Sequence, residues 1–392
     1  MFLLIKEANV YAPQPLGIKD ILIAGSQIVC VGNSGEFSFS GIKPQELNAS
    51  GNIVIPGFID PHVHILGGGG EGGPATRAPE IRIEDIIESG VTTLIGCLGT
   101  DGTTRHLESL LAKARALEIE GISTFIFSGS YELPLITFTG NIRRDLILID
   151  KVIGAGEVAI SDHRSSQPTF EELARLVADC RVGGLLAGKA GILHCHIGDG
   201  PAKLELLFRL IRETEIPSTQ IIPTHVNRNK ALLEEAFQFI KEGGFIDITA
   251  TQQLEEGSHL SVSQVIRAAR ENNIPLERIM ISSDSNGSLP VFDKKGELKG
   301  LTIATQQTLL DNFKYLVKKE LLTLEEAIRL FSTNAAQFYR FSQKGQIATG
   351  SAADLLIFDS HLHLQQVISQ GKIALDDGIC LIKSTISRPR QA

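Results

Sequence analysis

From residue 53 to residue 282 the chain repeats one rhythm, in which a short apolar run is followed by a polar break and then a longer amphipathic stretch. The apolar runs at 53–59, 92–98, 123–127, 157–160, 192–196, 220–223, 245–249 and 278–282 predict eight strands. Between them, 80–88, 104–117, 170–179, 202–212, 230–241 and 262–272 read as helices, and a further helix at 301–318 follows the eighth strand. Strands alternating with helices over short connections predict a parallel α/β arrangement, and a count of eight predicts a closed barrel. A doubly wound open sheet is the competitor, but no G-x-G-x-x-G opens a helix after a strand. The two chain ends differ from the middle. Runs at 2–5, 20–24 and 28–31, and again at 354–358, 366–368, 372–374 and 380–383, are β-rich and punctuated by glycine. The expected fold class is therefore α/β: a (β/α)8 TIM-like barrel over 56–344, with a small β-sandwich domain built from both chain termini, 1–55 and 345–392.

Length supports that division, because a barrel of about 250 residues leaves room for a second unit in a chain of 392. A content of 43% hydrophobic and 21% charged residues excludes wholesale disorder. The net charge of −8 argues against nucleic acid or an anionic membrane as partner and leaves a small substrate open. Five scattered cysteines with no C-x-x-C pair are no disulfide framework, which points to a reducing compartment. The opening apolar run is too short for a signal-peptide core, and no stretch reaches the roughly 18 residues of a membrane span. The expectation is a soluble cytoplasmic protein.

Ligand-type residues cluster at the C-terminal ends of the expected strands, where a barrel carries its active site. The first strand ends in His62-Val63-His64, and residues two apart on an extended chain point the same way, so both imidazoles can meet one metal ion. An isolated H-x-H is more often a pair of ordinary surface histidines. Here, however, the fifth strand ends in His194-Cys195-His196, the sixth in Thr224-His225 and the eighth in Ser282-Ser283-Asp284. Four such strand ends together make a metal centre the better reading. Of His194 and His196, the latter lies nearer the strand end and is the expected ligand. His163 reads as structural, and His106, His259, His361 and His363 have no comparable setting. The glycine-rich run at 67–73 lacks a P-loop's Lys-Ser/Thr ending and is expected to let backbone approach a ligand, with Glu71 as its one charge. Arg164 and Arg228 each follow a strand end closely, and guanidinium forks suit a substrate with two carboxylates. No Ser-His-Asp elbow is visible, and no cysteine carries a nucleophile signature.

In this combination the chain resembles the amidohydrolase superfamily and, within it, the isoaspartyl dipeptidase (β-aspartyl peptidase) family. The passages that carry the likeness are 56–60 (PGFID) with His62 and His64, 67–74 (GGGGEGGP) with Thr76-Arg77, and 98–101 (LGTD). Further ones are 159–165 (AISDHRS), 223–229 (PTHVNRN), 282–288 (SSDSNGS) and 350–358 (GSAADLLIF). The resemblance implies two zinc ions, one held by His62, His64 and Asp284 and the other by His196 and His225. It also implies that Asp284 moves the proton, that Tyr131 polarises the scissile carbonyl, and that Glu71 meets the α-ammonium of an isoaspartyl dipeptide. Arg164, Arg228 and Ser288 would bind substrate carboxylates, with Thr100 a further contact, in a homo-octamer. The family's bridging ligand is a carbamylated lysine. Alignment on AISDHRS puts Glu157 there instead, with Lys151 out of register. A glutamate side chain is much shorter, so the backbone must approach the metals, and Gly156 would allow it. Rival readings are a hydantoinase, dihydropyrimidinase or N-acyl-amino-acid deacylase, or a non-catalytic scaffold on the same fold.

Overall fold

The computed structural model describes residues 2–41, 43–250, 259–292 and 298–384. Residues 1, 42 and 385–392 of the expected terminal domain lie outside the described residues, as do 251–258 and 293–297 of the barrel segment. The N-terminal strands are β1 (Phe2–Tyr11), β2 (Pro15–Ala24), β3 (Gln27–Asn33), β4 (Gln45–Asn48) and β5 (Ile53–Pro56). Eight strands then alternate with helices: β6 (Phe58–Val63), β7 (Val91–Gly96), β8 (Ser123–Ser128), β9 (Val152–Ile160), β10 (Ile192–Ile197), β11 (Ile221–Thr224), β12 (Ile246–Thr249) and β13 (Ile279–Ser282). A hairpin, β14 (Ser288–Phe292) and β15 (Leu298–Ile303), follows, and the chain ends in β16 (Leu355–Phe358), β17 (Leu364–Ser369), β18 (Lys372–Asp376) and β19 (Ile379–Cys380). The helices are α1 (Ile83–Glu88), α2 (Leu107–Glu120), α3 (Ile142–Leu148), α4 (Phe170–Ala187), α5 (Glu205–Glu213), α6 (Lys230–Lys241), α7 (Val262–Glu271), α8 (Gln307–Lys318), α9 (Leu324–Ile328) and α10 (Asn334–Phe338).

The barrel strands are buried on both faces, which is why they read as nearly continuous apolar runs. Their helices begin at local signals. In α4, Thr169 and Glu172 form a reciprocal capping box, and Gly188 ends the helix in the left-handed region. Strands β6 to β11 pair in parallel in sequence order, but β12 and β13 form a separate two-stranded ladder. The barrel is thus of the TIM type, but among the described residues its eight strands do not close into one continuous ladder, contrary to expectation; at the β6–β13 side a single backbone bond, His64 N to Ser285 O at 2.9 Å, crosses. Side chains span both seams. Asn227 clasps the backbone of Thr249 with bonds of 3.0 and 3.1 Å, while Ser283 donates to Asp60 through both its amide (3.1 Å) and its hydroxyl (2.5 Å).

The termini form one continuous nine-stranded sheet, not the two facing sheets of the expected sandwich. Alternation in β16 explains how it joins the barrel. Leu355 and Ile357 pack into the terminal core with Leu3, Ile5 and Ile21, whereas Leu356 and Phe358 pack into the barrel core. Other differences are local. The expected strand 53–59 divides at Gly57, whose amide bonds to Asp354 O at 2.8 Å, so β5 enters the terminal sheet and β6 starts the barrel. Helix α3 lies where no helical period was read, because it is a seven-residue helix fixed by its Asn141 cap. Residues 301–303 belong to β15 rather than to the following helix, their apolar run being that of a hairpin strand.

Candidate metal centre

Six side chains from five strand ends converge at one end of the barrel. His62 lies on β6 with its Nε2 3.2 Å from Glu157 Oε2 and 3.8 Å from Asp284 Oδ1. His64, just beyond β6, places Nε2 3.1 Å from Asp284 Oδ1 and 3.5 Å from Glu157 Oε1. From β10 and the end of β11, His196 Nδ1 and His225 Nε2 approach Glu157 Oε2 at 3.5 and 3.8 Å. Glu157, His62, His196 and His225 are essentially excluded from solvent. Two of the six hold left-handed backbone angles, His225 at φ 61° and Asp284 at φ 53°. Such angles are unfavourable away from glycine and persist where surrounding structure demands a re-aimed side chain.

Glu157 reaches the centre through a bulge. In the β9–β10 ladder Leu193 pairs with Ala155 but Cys195 pairs with Val158, so Gly156 and Glu157 together oppose His194. Gly156 sits at φ 153°, and a Cβ there would lie 2.8 Å from the Cβ of His194. Only glycine fits. Lys151 is at the far end of β9, where its ammonium donates to Thr124 O at 3.0 Å and pairs with Glu118.

The donor chemistry fits divalent cations. Both oxygens of Glu157, Nε2 of His62 and Oδ1 of Asp284 are buried without a hydrogen-bond partner, and these atoms all face one another. Buried polar groups left unpaired are expensive, and metal ligation by imidazole and carboxylate is the arrangement that satisfies such a set. Burial pushes the carboxyls of Glu157 and Asp284 up, but the surrounding imidazoles outweigh it and hold both well below the ordinary range. Burial draws His225 down to about 3, so its ring is neutral at physiological pH, with Nδ1 2.7 Å from Thr249 Oγ1 and Nε2 toward Glu157.

Above the donors opens a cleft of about 600 Å³ that takes in Glu71, Thr100, Tyr131, Arg164, Arg228 and Ser288. Glu71 accepts from Thr100 Oγ1 at 2.8 Å and Ser288 Oγ at 3.4 Å, and Arg164 Nη1 lies 3.3 Å from it. The Tyr131 hydroxyl stands 2.7 Å from His196 Nδ1. Arg228 donates to Ile197 O at 2.7 Å, with its second nitrogen 3.2 Å from His196 Nε2.

The amidohydrolase family pattern spans residues 53–376. The structure of β-aspartyl dipeptidase from Fervidobacterium islandicum AW-1 with β-Asp-Leu shares 46% identity and a TM-score of 0.91 over 97% of each chain. A second structure of that enzyme shares 44% at a TM-score of 0.89, over 97% of this chain and 98% of the other. The chain belongs to the amidohydrolase family. Dihydropyrimidinase from Brevibacillus agri NCHU1002 covers 99% of this amidohydrolase and 100% of its own length at a TM-score of 0.68, but at 15% identity it shares the fold alone. Adenine deaminase from Bacillus pumilus (strain SAFR-032) is 26% identical over 92% of the chain, which spans about half (54%) of that relative's length.

Several details of this amidohydrolase were not legible in its sequence. Gly68, Gly69 and Gly72 of the glycine run line the cleft beside Glu71, and Gly67 in addition packs on the chain's own backbone, where a Cβ would meet Ala78 O at 2.1 Å. His163 and His259 line the cleft, although neither belongs to a donor group. His194 stacks on Phe127, with ring centroids 4.8 Å apart, outside those groups. Asp162 is a residue the sequence did not single out: its carboxylate grips Arg164 at 2.8 and 2.9 Å and stands 3.0 Å from His196 Nε2. Its place in AISDHRS, two residues before Arg164, was the available signal. Cys97 was also passed over. Burial pushes thiols up, as it does at Cys180 and Cys195, but at Cys97 the neighbouring His64 and His62 outweigh burial and lower it.

Proposed function

We propose that this amidohydrolase cleaves the isopeptide bond of β-aspartyl dipeptides, releasing aspartate and a second amino acid, with two zinc ions as cofactor. The observation that carries the reading is the facing pair Glu71 and Arg164 beside the metal donors. An isoaspartyl residue presents a free α-ammonium and a free α-carboxylate on one carbon, and such a pair is complementary to both at once. Cyclic amides such as dihydrouracil or hydantoins carry no ammonium and would leave Glu71 without a purpose. The 46% identity to the β-aspartyl dipeptidase supports the same choice.

His62, His64 and Asp284 would hold one ion and His196 and His225 the other, with Glu157 between them. When bound, such ions supply Lewis-acid polarisation and bring the pKa of a water toward roughly 7. The chain's own groups do the rest. Glu71, with Thr100 and Ser288 beside it, takes the α-ammonium; Arg164, held rigid by Asp162, takes the α-carboxylate, and Arg228 takes the carboxylate of the second residue. Tyr131 is kept protonated by burial and by the Glu157 charge, so its hydroxyl can donate to the oxygen of the scissile carbonyl as charge develops there. The Asp284 carboxylate accepts the proton of the attacking water and passes it to the departing amine as the C–N bond breaks. The enzyme would work in the cytoplasm as a homo-octamer; no helix of the described residues is long and apolar enough to cross a membrane. A panel of β-Asp-X, α-Asp-X and dihydrouracil at defined zinc content tests the proposal. Turnover confined to β-Asp-X supports it, and preference for either of the others overturns it.

A further inference from the structure

We propose that Cys97 is a metal ligand: its sulfur joins His62, His64 and Glu157 around the ion at the β6 end of the centre. The proposal rests on the metallohydrolase reading for the other donors and adds a soft donor to them.

Cys97 immediately follows β7 and is buried, 1% exposed, against the H-x-H segment. Its Sγ lies 3.8 Å from His64 Nδ1 and 3.7 Å from Val63 O. One ligand atom from each of His62, His64, Cys97 and Glu157 falls within 4.8 Å of all the others, and among the described residues this is the one donor group of four. A second observation points to an ion at this place. His62 Nε2 and both oxygens of Glu157 are buried and have no partner. The spacing agrees with a single ion among these donors, with Asp284 as a further ligand. Nitrogen or oxygen at about 2.0–2.1 Å and sulfur at about 2.3 Å from one zinc stand about 3.3–3.6 Å apart. The separations here are 3.2 Å for His62 Nε2–Glu157 Oε2 and 3.5 Å for His64 Nε2–Glu157 Oε1, with Cys97 Sγ 3.8 Å from the other ring nitrogen of His64, Nδ1. The remaining buried cysteines, Cys180 and Cys195, belong to no donor group. A thiolate in this set favours zinc or cobalt over magnesium or manganese, which prefer oxygen ligands.

X-ray absorption at the zinc edge of the fully loaded enzyme tests the assignment directly. A sulfur shell near 2.3 Å, averaging about half a sulfur per zinc over the two sites, is the expected result. It should vanish in Cys97→Ser. The cobalt-loaded enzyme should show a thiolate-to-cobalt charge-transfer band that Cys97→Ala removes. Both variants should bind zinc more weakly at one of two sites by more than the 10–100-fold typical of an outer-layer partner. A wild-type shell of nitrogen and oxygen alone overturns the proposal and makes Cys97 a hydrogen-bond acceptor for the Nδ1–H of His64; this outcome needs no variant to fold. A sulfur shell in an enzyme inactive on β-Asp-Leu refutes the proposed function but not the ligand. Hydrolysis of β-Asp-Leu without a sulfur shell does the reverse.

Discussion

Glu71→Gln isolates the group proposed to select the substrate. Burial raises the Glu71 carboxyl, but its own amide, Thr100, Arg164 and Ser288 outweigh burial and hold it below the ordinary range, so it is an anion throughout neutral pH. Its side chain is 26% exposed, which places the contact with an α-ammonium between a solvated surface pair and a buried one. A surface pair contributes up to about 1 kcal/mol and a charge-assisted hydrogen bond about 1.5–3 kcal/mol. About 2 kcal/mol is therefore at stake, or roughly 30-fold in kcat/KM at 1.4 kcal/mol per decade. One opposing effect is small. The variant frees Arg164 from its 3.3 Å contact with Glu71, yet Asp162 still fixes the guanidinium with two bonds, so the gain in carboxylate capture stays below about 1 kcal/mol. The net expectation is about a 5- to 30-fold loss on β-Asp-Leu. Steady-state kinetics should be run as a cycle, parent and variant against β-Asp-Leu and its N-acetyl derivative. The parent should prefer the free amine by the same factor that the variant loses. If the substitution lowers both substrates equally, Glu71 does not meet the ammonium and the reasoning fails.

Removing the metals with a chelator should abolish hydrolysis and zinc should restore it, while Asp284→Asn should lower kcat at least about 10²-fold through loss of the proton acceptor; near-parental turnover in that variant would refute the mechanism. Because Glu157 is a permanent carboxylate rather than a carbamate, chelated enzyme should regain full activity with zinc in buffer purged of carbon dioxide, whereas Glu157→Gln should lose metal by elemental analysis. Bicarbonate-dependent recovery would show that another residue bridges. Burial pushes Asp247 up to about 7 from its ordinary 3.8. An acid raised in the folded state is stabilising below its unfolded value and loses that contribution as pH rises through the folded one. In metal-free protein the stability of the parent relative to Asp247→Asn should therefore fall between pH 4 and 8, by up to about 4 kcal/mol for three pH units, in urea titrations. A flat difference would show that Asp247 ionises normally.

Read alone, the residues announced which strand ends carry donor-type side chains, because an apolar run stopping at a histidine is a local signal that needs no partner. His62, His64, His196, His225 and Asp284 were visible in that way, and Glu157 through its place in a recognisable phrase. Strand and helix order followed from periodicity for the same reason. What only the folded chain decided depends on residues distant in sequence or on a single backbone irregularity. The bulge that lets Gly156 and Glu157 together oppose His194 shifts side-chain direction without changing composition. At the seams, side-chain bonds such as Asn227–Thr249 and Asp60–Ser283 stand where a continuous ladder was expected, so an eight-strand count predicted a closure that the described strands do not complete. Glu71 and Arg164 are 93 positions apart, and their meeting is a product of loop packing above the barrel. Cys97 looked inert because a thiol becomes a candidate ligand only beside imidazoles, and β6 and β7 had to pair before His64 lay 3.8 Å away.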